Sequence, residues 1–282
     1  KKLFLVFFSF FIFLGFGGCN SKPNKPLTIV VNPWIGYIPF FYMQESGWLE
    51  NKNIKVSSVV SLIESVKMIE SGMADAMGGT QIEFNHLNNV LQVEPYLFLD
   101  RSNGADAIFA NRSIDEIKRL NKPIEVFLEK GSINELMLEL FAKKYKLELS
   151  HFYIQNFDQY TISRLALQKD PIMIITYEPY LEDIKKNGYR MIANSNDEGF
   201  NIIDVLIVTQ IAQKRYQEEL KLLHTLYRQA IQELQKDPQA FYEKIKVHLD
   251  GQSYDDFIGS IRGIEWIYDK NSALYLKLFK SS

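Results

Sequence analysis

From Leu27 onward, short apolar runs alternate with segments of helical spacing, and that alternation leaves few folds open. Leu27 to Val31 and Ile172 to Tyr177 are continuous apolar runs of strand length, the pattern of strands covered on both faces. After the first, Asn32 and Pro33 break the run, and Trp34, Gly36 and Tyr37 form a loop. Pro39 then fits the first turn of a helix carrying Phe40, Phe41, Met43 and Leu49. Ile54 to Val60 reads as a second strand. Leu62 to Ser71 reads as a helix, with apolar residues at 62, 63, 66 and 69 and Gly72 at its end. Met73 to Met77 is a short strand ending at Gly78 and Gly79, and Thr80 with Glu83 forms a capping box for the next helix. Parallel strands joined by helices need both sheet faces covered, so the fold class is α/β.

A second stretch organises the middle of the chain. Tyr96 to Leu99 and Ala107 to Ala110 read as strands, and between them Asn103 and Gly104 tolerate positive φ, so the chain reverses or bends there. A surface hairpin and a ligand-contacting bend both fit. After Asn111 the alternation restarts. Ile124 to Leu128 is a strand, Gly131 and Ser132 lead into a helix through Leu136, Leu140 and Ala142, and Phe152 to Gln155 is a strand. Asp158 or Thr161 caps a helix, Glu178 and Pro179 open another, and Tyr189 to Ala193 and Asp204 to Thr209 add strands. From Ile211 the chain turns helical through Leu220, Leu223, Tyr227, Ile231 and Leu234. Pro238 begins a helix to Leu249, and Trp266 to Phe279 is an aromatic-rich amphipathic piece.

Ligands of open α/β sheets bind at the carboxyl ends of strands, which singles out Asn32, Trp34, Tyr37, Thr80 and the bend at Asn103. Thr80 and Ser132 each follow glycine and open a helix, where free N–H groups and the dipole attract an anion; plain N-capping fits them equally. Glu178 at a helix start is stabilised by the same dipole with or without a ligand. Asp106 and Asp204 lie beside apolar strands, where an unpaired carboxylate is costly, so each needs a partner, a backbone donor or a ligand amine. Trp34 and Tyr37 flank Gly36 and offer flat faces to a small organic molecule. Helix ends together with acids suit a zwitterion or a polar heterocycle better than a bare anion.

Much chemistry is missing. The chain has no GxSxG elbow, HExxH pair or GxxxxGK loop, and its four histidines lack metal-ligand spacing. No catalytic residue, metal or cofactor is expected. A net charge of −2, with no clustered Lys and Arg, argues against a nucleic-acid surface.

The start of the chain differs in kind. Lys1 and Lys2 precede an apolar run from Leu3 to Gly18, then Cys19, then a polar stretch to Pro26. A charged start and ~16 apolar residues describe an export signal and fall short of the ~20 that span a bilayer. Residues 1–18 are therefore expected to be a signal peptide and 19–26 a flexible tether. Phe16 to Cys19 resembles the bacterial lipoprotein box, with Phe16 in place of the usual leucine; the resemblance implies a diacylglycerol on Cys19, the only cysteine. Either a lipid or an uncleaved anchor holds the domain to a membrane outside the cytoplasm, in the periplasm or at the cell surface.

The run Ser102 to Asp106 resembles a motif of periplasmic solute-binding proteins of the nitrate/sulfonate/taurine ABC transporter family. Trp34 to Pro39, Ser71 to Ala76, Tyr177 to Leu181 and Ile203 to Val208 match in the same order, over about Leu27 to Leu249. The resemblance implies a two-lobed, type II binding-protein fold, each lobe a mostly parallel sheet flanked by helices, with two hinge crossovers. The expected division is 27–111 for lobe 1, 112–204 for lobe 2, and 205–282 for the return to lobe 1 and the terminal helices. It also implies a monomer that binds a small molecule, sulfonate-like, taurine-like or pyrimidine-like, and delivers it to ABC permease subunits. Family placement adds Asp106 and Glu178 to the cleft. The family also resembles pyrimidine synthases of thiamine biosynthesis, whose cysteine-rich stretch is absent here, so an exported enzyme is the alternative, and a ligand-sensing module for a receptor is another.

Overall fold

The computed structural model describes residues 25–197, 199–269 and Phe279. The expected signal peptide, most of the expected tether and the expected lipid attachment at Cys19 lie outside the described residues. In chain order the strands are β1 (Leu27–Val31), β2 (Ile54–Ser58), β3 (Ala76–Gly79), β4 (Val93–Ser102), β5 (Asp106–Ala110) and β6 (Ile124–Leu128). They continue with β7 (Phe152–Asn156), β8 (Ile172–Tyr177), β9 (Arg190–Asn194), β10 (Ile203–Thr209) and β11 (Ile264–Asp269). They form a six-stranded sheet, β11-β4-β10-β3-β1-β2, and a five-stranded sheet, β7-β6-β8-β5-β9. Both are mixed. In the first, β10 and β11 run against the other four strands; in the second, β5 alone opposes its neighbours.

Helices cover both faces of each sheet, as the continuous apolar strands require. On β1, Leu27, Ile29 and Val31 enter one core and Val30 enters the core on the opposite face. On β8, Met173 and Ile175 likewise oppose Ile172 and Ile174. The helix Gln217–Lys236 buries Leu220, Leu223, Tyr227, Ile231 and Leu234, and Tyr227 packs on Phe40 of the helix Ile38–Glu45. The last third of the chain thus completes the first lobe.

The chain passes between the sheets twice. The first crossing is the bend at Asn103 to Ala105, with Gly104 at φ 108°; β4 and β5 belong to different sheets, so the bend is a crossover and not a hairpin. The expected division after Asn111 is displaced accordingly: β5 pairs with β8 and β9 and belongs to the second lobe. A strand of only five residues, four of them apolar, carries no mark of which sheet it will join. The second crossing runs from Ser195 to Ile202, and β10 returns to the first sheet. The two crossings are tied together, because Ser195 Oγ lies 2.6 Å from Ser102 Oγ and accepts the Gly104 N–H at 2.8 Å.

Two local readings change. The amphipathic piece expected from Trp266 begins as β11, paired antiparallel to β4, and all but Phe279 of its remainder lies outside the described residues. The helix expected from Glu178 and Pro179 begins at Leu181.

Candidate functional site

Strand ends from both sheets meet in a narrow cleft. Its cavity has a volume of about 10 Å³ and is lined by Asn32, Trp34, Tyr37, Leu62, Thr80, Asp106, Ile133, Tyr177, Ile202 and Asp204. That is room for roughly one water molecule. Six of the residues expected from sequence therefore come together: Asn32, Trp34, Tyr37, Thr80, Asp106 and Asp204. Three do not. Asn103 and Glu178 line a separate groove of about 330 Å³ behind the first crossover, beside Lys185 and Ser260. Ser132 is a helix cap; its hydroxyl donates to the Glu129 carbonyl and accepts the Asn134 N–H.

Backbone without side chains makes the close approaches possible. A Cβ on Gly78 would stand 2.7 Å from Tyr37 Cζ, and one on Gly36 would stand 2.2 Å from Asp100 Oδ2. With these glycines in place, the Tyr37 hydroxyl donates to Asp204 Oδ1 at 2.6 Å and Trp34 Nε1 donates to Asp100 Oδ1 at 3.3 Å. Asp100 and Asp204 are direct cross-strand partners in the β4–β10 ladder, and both are fully or almost fully buried. Gly36 and Gly78 gave no signal of this beyond their position at strand ends.

The lobes touch across the cleft. Asn32 donates to the Tyr177 hydroxyl at 2.9 Å, and the Ile35 N–H donates to the Glu178 carbonyl at 3.2 Å. One buried carboxylate reaches across to the facing lobe, and a second stays within its own. Glu83, on the first lobe, accepts from Thr80 N and Oγ1 at 2.8 and 2.6 Å through one oxygen, while its Oε1 has no partner among the described residues. Glu129, on the second lobe, accepts at 3.0 Å the N–H of Ile63, in the first turn of a helix of the first. Glu129 thus occupies a helix end of the facing lobe, where the macrodipole favours negative charge. At the helix that Thr80 opens, Glu83 takes the place an anion would take. Glu129 and Asp100 were not among the expected site residues, since a carboxylate on an apolar strand end gives no hint of what faces it from another lobe.

Burial dominates the electrostatics. It pushes the carboxyls of Asp106 and Glu129 up to about 7 and raises that of Glu83. Asp100 and Asp204 stand well above the usual carboxylate range, through burial first and, for Asp204, the charge of Asp100 next. Among the described residues no Lys, Arg or His is buried, and no ion pair involves these five acids. Also among the described residues, no three His, Cys, Asp or Glu side chains are arranged to hold a metal ion, and no helix is long and apolar enough to cross a membrane.

No family model matches the sequence, nor does any curated protein. Solved structures do match in shape. The ligand-binding component of an ABC-type import system from Staphylococcus aureus, with zinc bound, superposes with a TM-score of 0.74 at 11% identity, covering 91% of this chain and 90% of that one. The periplasmic aliphatic sulphonate binding protein SsuA from Escherichia coli gives 0.72 at 13% identity, covering 92% and 90%. A Candida albicans protein described as having the generic periplasmic binding protein fold gives 0.66 at 13% identity, covering 86% and 82%. This chain has the periplasmic binding protein fold. The nitrate-binding protein NrtA from Synechocystis matches with a TM-score of 0.64 at 11% identity, covering 86% of this chain and 71% of that one, so the expected resemblance to nitrate and sulfonate binders holds at the level of structure. At such identities the shared property is the fold, and the periplasmic-binding-protein architecture leaves the ligand to be argued from the cleft itself.

Proposed function

We propose that this protein is the extracytoplasmic substrate-binding component of an ABC importer, a monomer tethered through lipid on Cys19, that closes on a small polar organic molecule and hands it to permease subunits. The observation that carries the reading is the cleft: Asn32, Trp34, Tyr37, Thr80 and Asp204 from one sheet or its helices meet Asp106 and Tyr177 from the other, across two short crossovers. A molecule held there touches both lobes, so its binding favours the closed arrangement, the hinge behaviour of a two-lobed binder. With only about 10 Å³ between the lobes, any organic ligand requires them to part first. Of the ligand classes considered, a pyrimidine-like heterocycle with N–H groups suits Asp106 and Asp204 better than a sulfonate does.

Thermal unfolding followed by intrinsic fluorescence tests this, since Trp34 sits in the cleft wall. At ~100 times its dissociation constant a cognate ligand adds ~2.7 kcal/mol, a rise in Tm of roughly 5–10 °C for a chain of this size. Small-angle scattering should show the protein contract on binding. Turnover of a compound without stabilisation would favour the enzyme alternative.

A further inference from the structure

The hydrogen bonds already made in the cleft specify the charge of what it takes, on the reading that it is a binding cleft. The donors in its wall are engaged within the protein: the hydroxyl of Tyr37 on Asp204, that of Thr80 on Glu83, that of Tyr177 on Glu129 and the Trp34 N–H on Asp100. Two helix N-termini of the first lobe are occupied by carboxylates, that of Leu62–Glu70 by Glu129 and that of Gln81–Val90 by Glu83. What the wall leaves over is acceptors. Asn32 Oδ1, on a fully buried side chain that lines the cavity, has no partner among the described residues, and neither has Asp100 Oδ2, on the carboxylate behind Trp34. The carboxyls of Asp106 and Asp204 face the same space. The groups acting on them are Glu83, Asp100, Tyr37, Tyr177 and each other, with no basic side chain among them. Buried carboxylates without a cation in the protein are costly to ionise, and a ligand that supplies the cation relieves that cost.

We propose that the ligand presents an N–H-bearing organic cation, such as an amidinium, a guanidinium or a protonated aminoheterocycle, to Asp106 and Asp204, with Asn32 Oδ1 accepting a further N–H. The rings of Trp34, Tyr37 and Tyr177 are the apolar wall against which a flat cation lies. Binding then expels protons from the acid cluster, so affinity rises with pH until the ligand itself loses its charge.

Two planar series of nearly equal shape test the charge: guanidinium, urea and nitrate, and benzamidinium, benzamide and benzoate. Calorimetry and Trp fluorescence on the full chain in a mild detergent should show each cation binding about tenfold or more tighter than its neutral analogue, with the anions weakest. Titration in two buffers of different ionisation enthalpy should show protons released, and affinity should increase from about pH 6 to about pH 8. Asp106→Asn should lose the cation preference about tenfold or more while remaining folded by circular dichroism. Choline, cationic without N–H donors, should bind more weakly than either cation of the series. Tighter binding of nitrate or benzoate than of the cations, with contraction in scattering, overturns the inference and leaves the binding-protein reading intact. Absence of binding by all six probes, with no change in scattering, overturns both.

Discussion

Raising the pH from about 5 to about 8 should destabilise this protein, the reverse of what salt-bridged carboxylates produce. Asp106, Glu129 and Glu178 are each pushed up to about 7 by burial, so between their unfolded values and 7 the folded chain holds protons that the unfolded chain has lost. Their contribution is complete below the unfolded values, near 4, and disappears as the pH rises through 7. Starting from 3.8, Asp106 can account for up to ~4 kcal/mol, and Glu129 and Glu178, from 4.5, for ~3 kcal/mol each. Together these rival the ~5–15 kcal/mol of a whole domain. The full loss therefore cannot appear as global unfolding, because parting the lobes rehydrates Asp106 and Glu129 at lower cost, a sub-global opening. Glu178 lies behind the crossover and gains nothing from that opening. Carboxyls held low, such as Glu45 and Asp256, lie near the surface, where solvent screens their opposite effect. Urea unfolding across the range should show a loss of ~3–5 kcal/mol, with scattering reporting expansion at the alkaline end and Asp106→Asn flattening the slope. Stability that is constant or increases toward pH 8, or a slope indifferent to Asp106→Asn, would refute the reasoning.

Gly78→Ala should destabilise by ~1–3 kcal/mol in urea unfolding, because its Cβ would meet the Tyr37 ring at 2.7–2.9 Å in a wall with no slack. Ser195→Ala removes the hydroxyl that joins the two crossovers and should cost ~1–3 kcal/mol, with faster amide exchange at Gly104 as the local signature. Glu129→Gln keeps the shape but weakens the charge-assisted bond accepted from the Ile63 N–H, so the lobes should part more readily by ~1–3 kcal/mol, read as a larger radius of gyration. Mass spectrometry of the native N-terminus should find diacylglycerol on Cys19, and Cys19→Ser should release the protein from membranes.

What was legible in the sequence depended on how local its cause was. Strands such as β1 and β8 declare themselves through unbroken apolar runs, and the Thr80 capping box through two residues three apart. The strand-end rule then located Asn32, Trp34, Tyr37 and Thr80 without any knowledge of tertiary contacts. It failed where a residue's role is set by the facing lobe. Ser132 has the same local setting as Thr80 and both cap helices, yet Thr80 lines the cavity and Ser132 does not. Glu178 follows β8 as Asn32 follows β1, but it turns toward Ser260, behind the crossover. Glu129 follows β6 and had no local signal at all, because the N–H group it accepts from belongs to a helix start 66 residues earlier. The Glu129 contact also connects closure with charge. Glu129 bridges the lobes by filling a helix end that would otherwise attract an anionic ligand, and on the proposed reading the groups a ligand then meets are Asp106 and Asp204. On that reading, closing and selecting a positive charge follow from one arrangement of buried carboxylates.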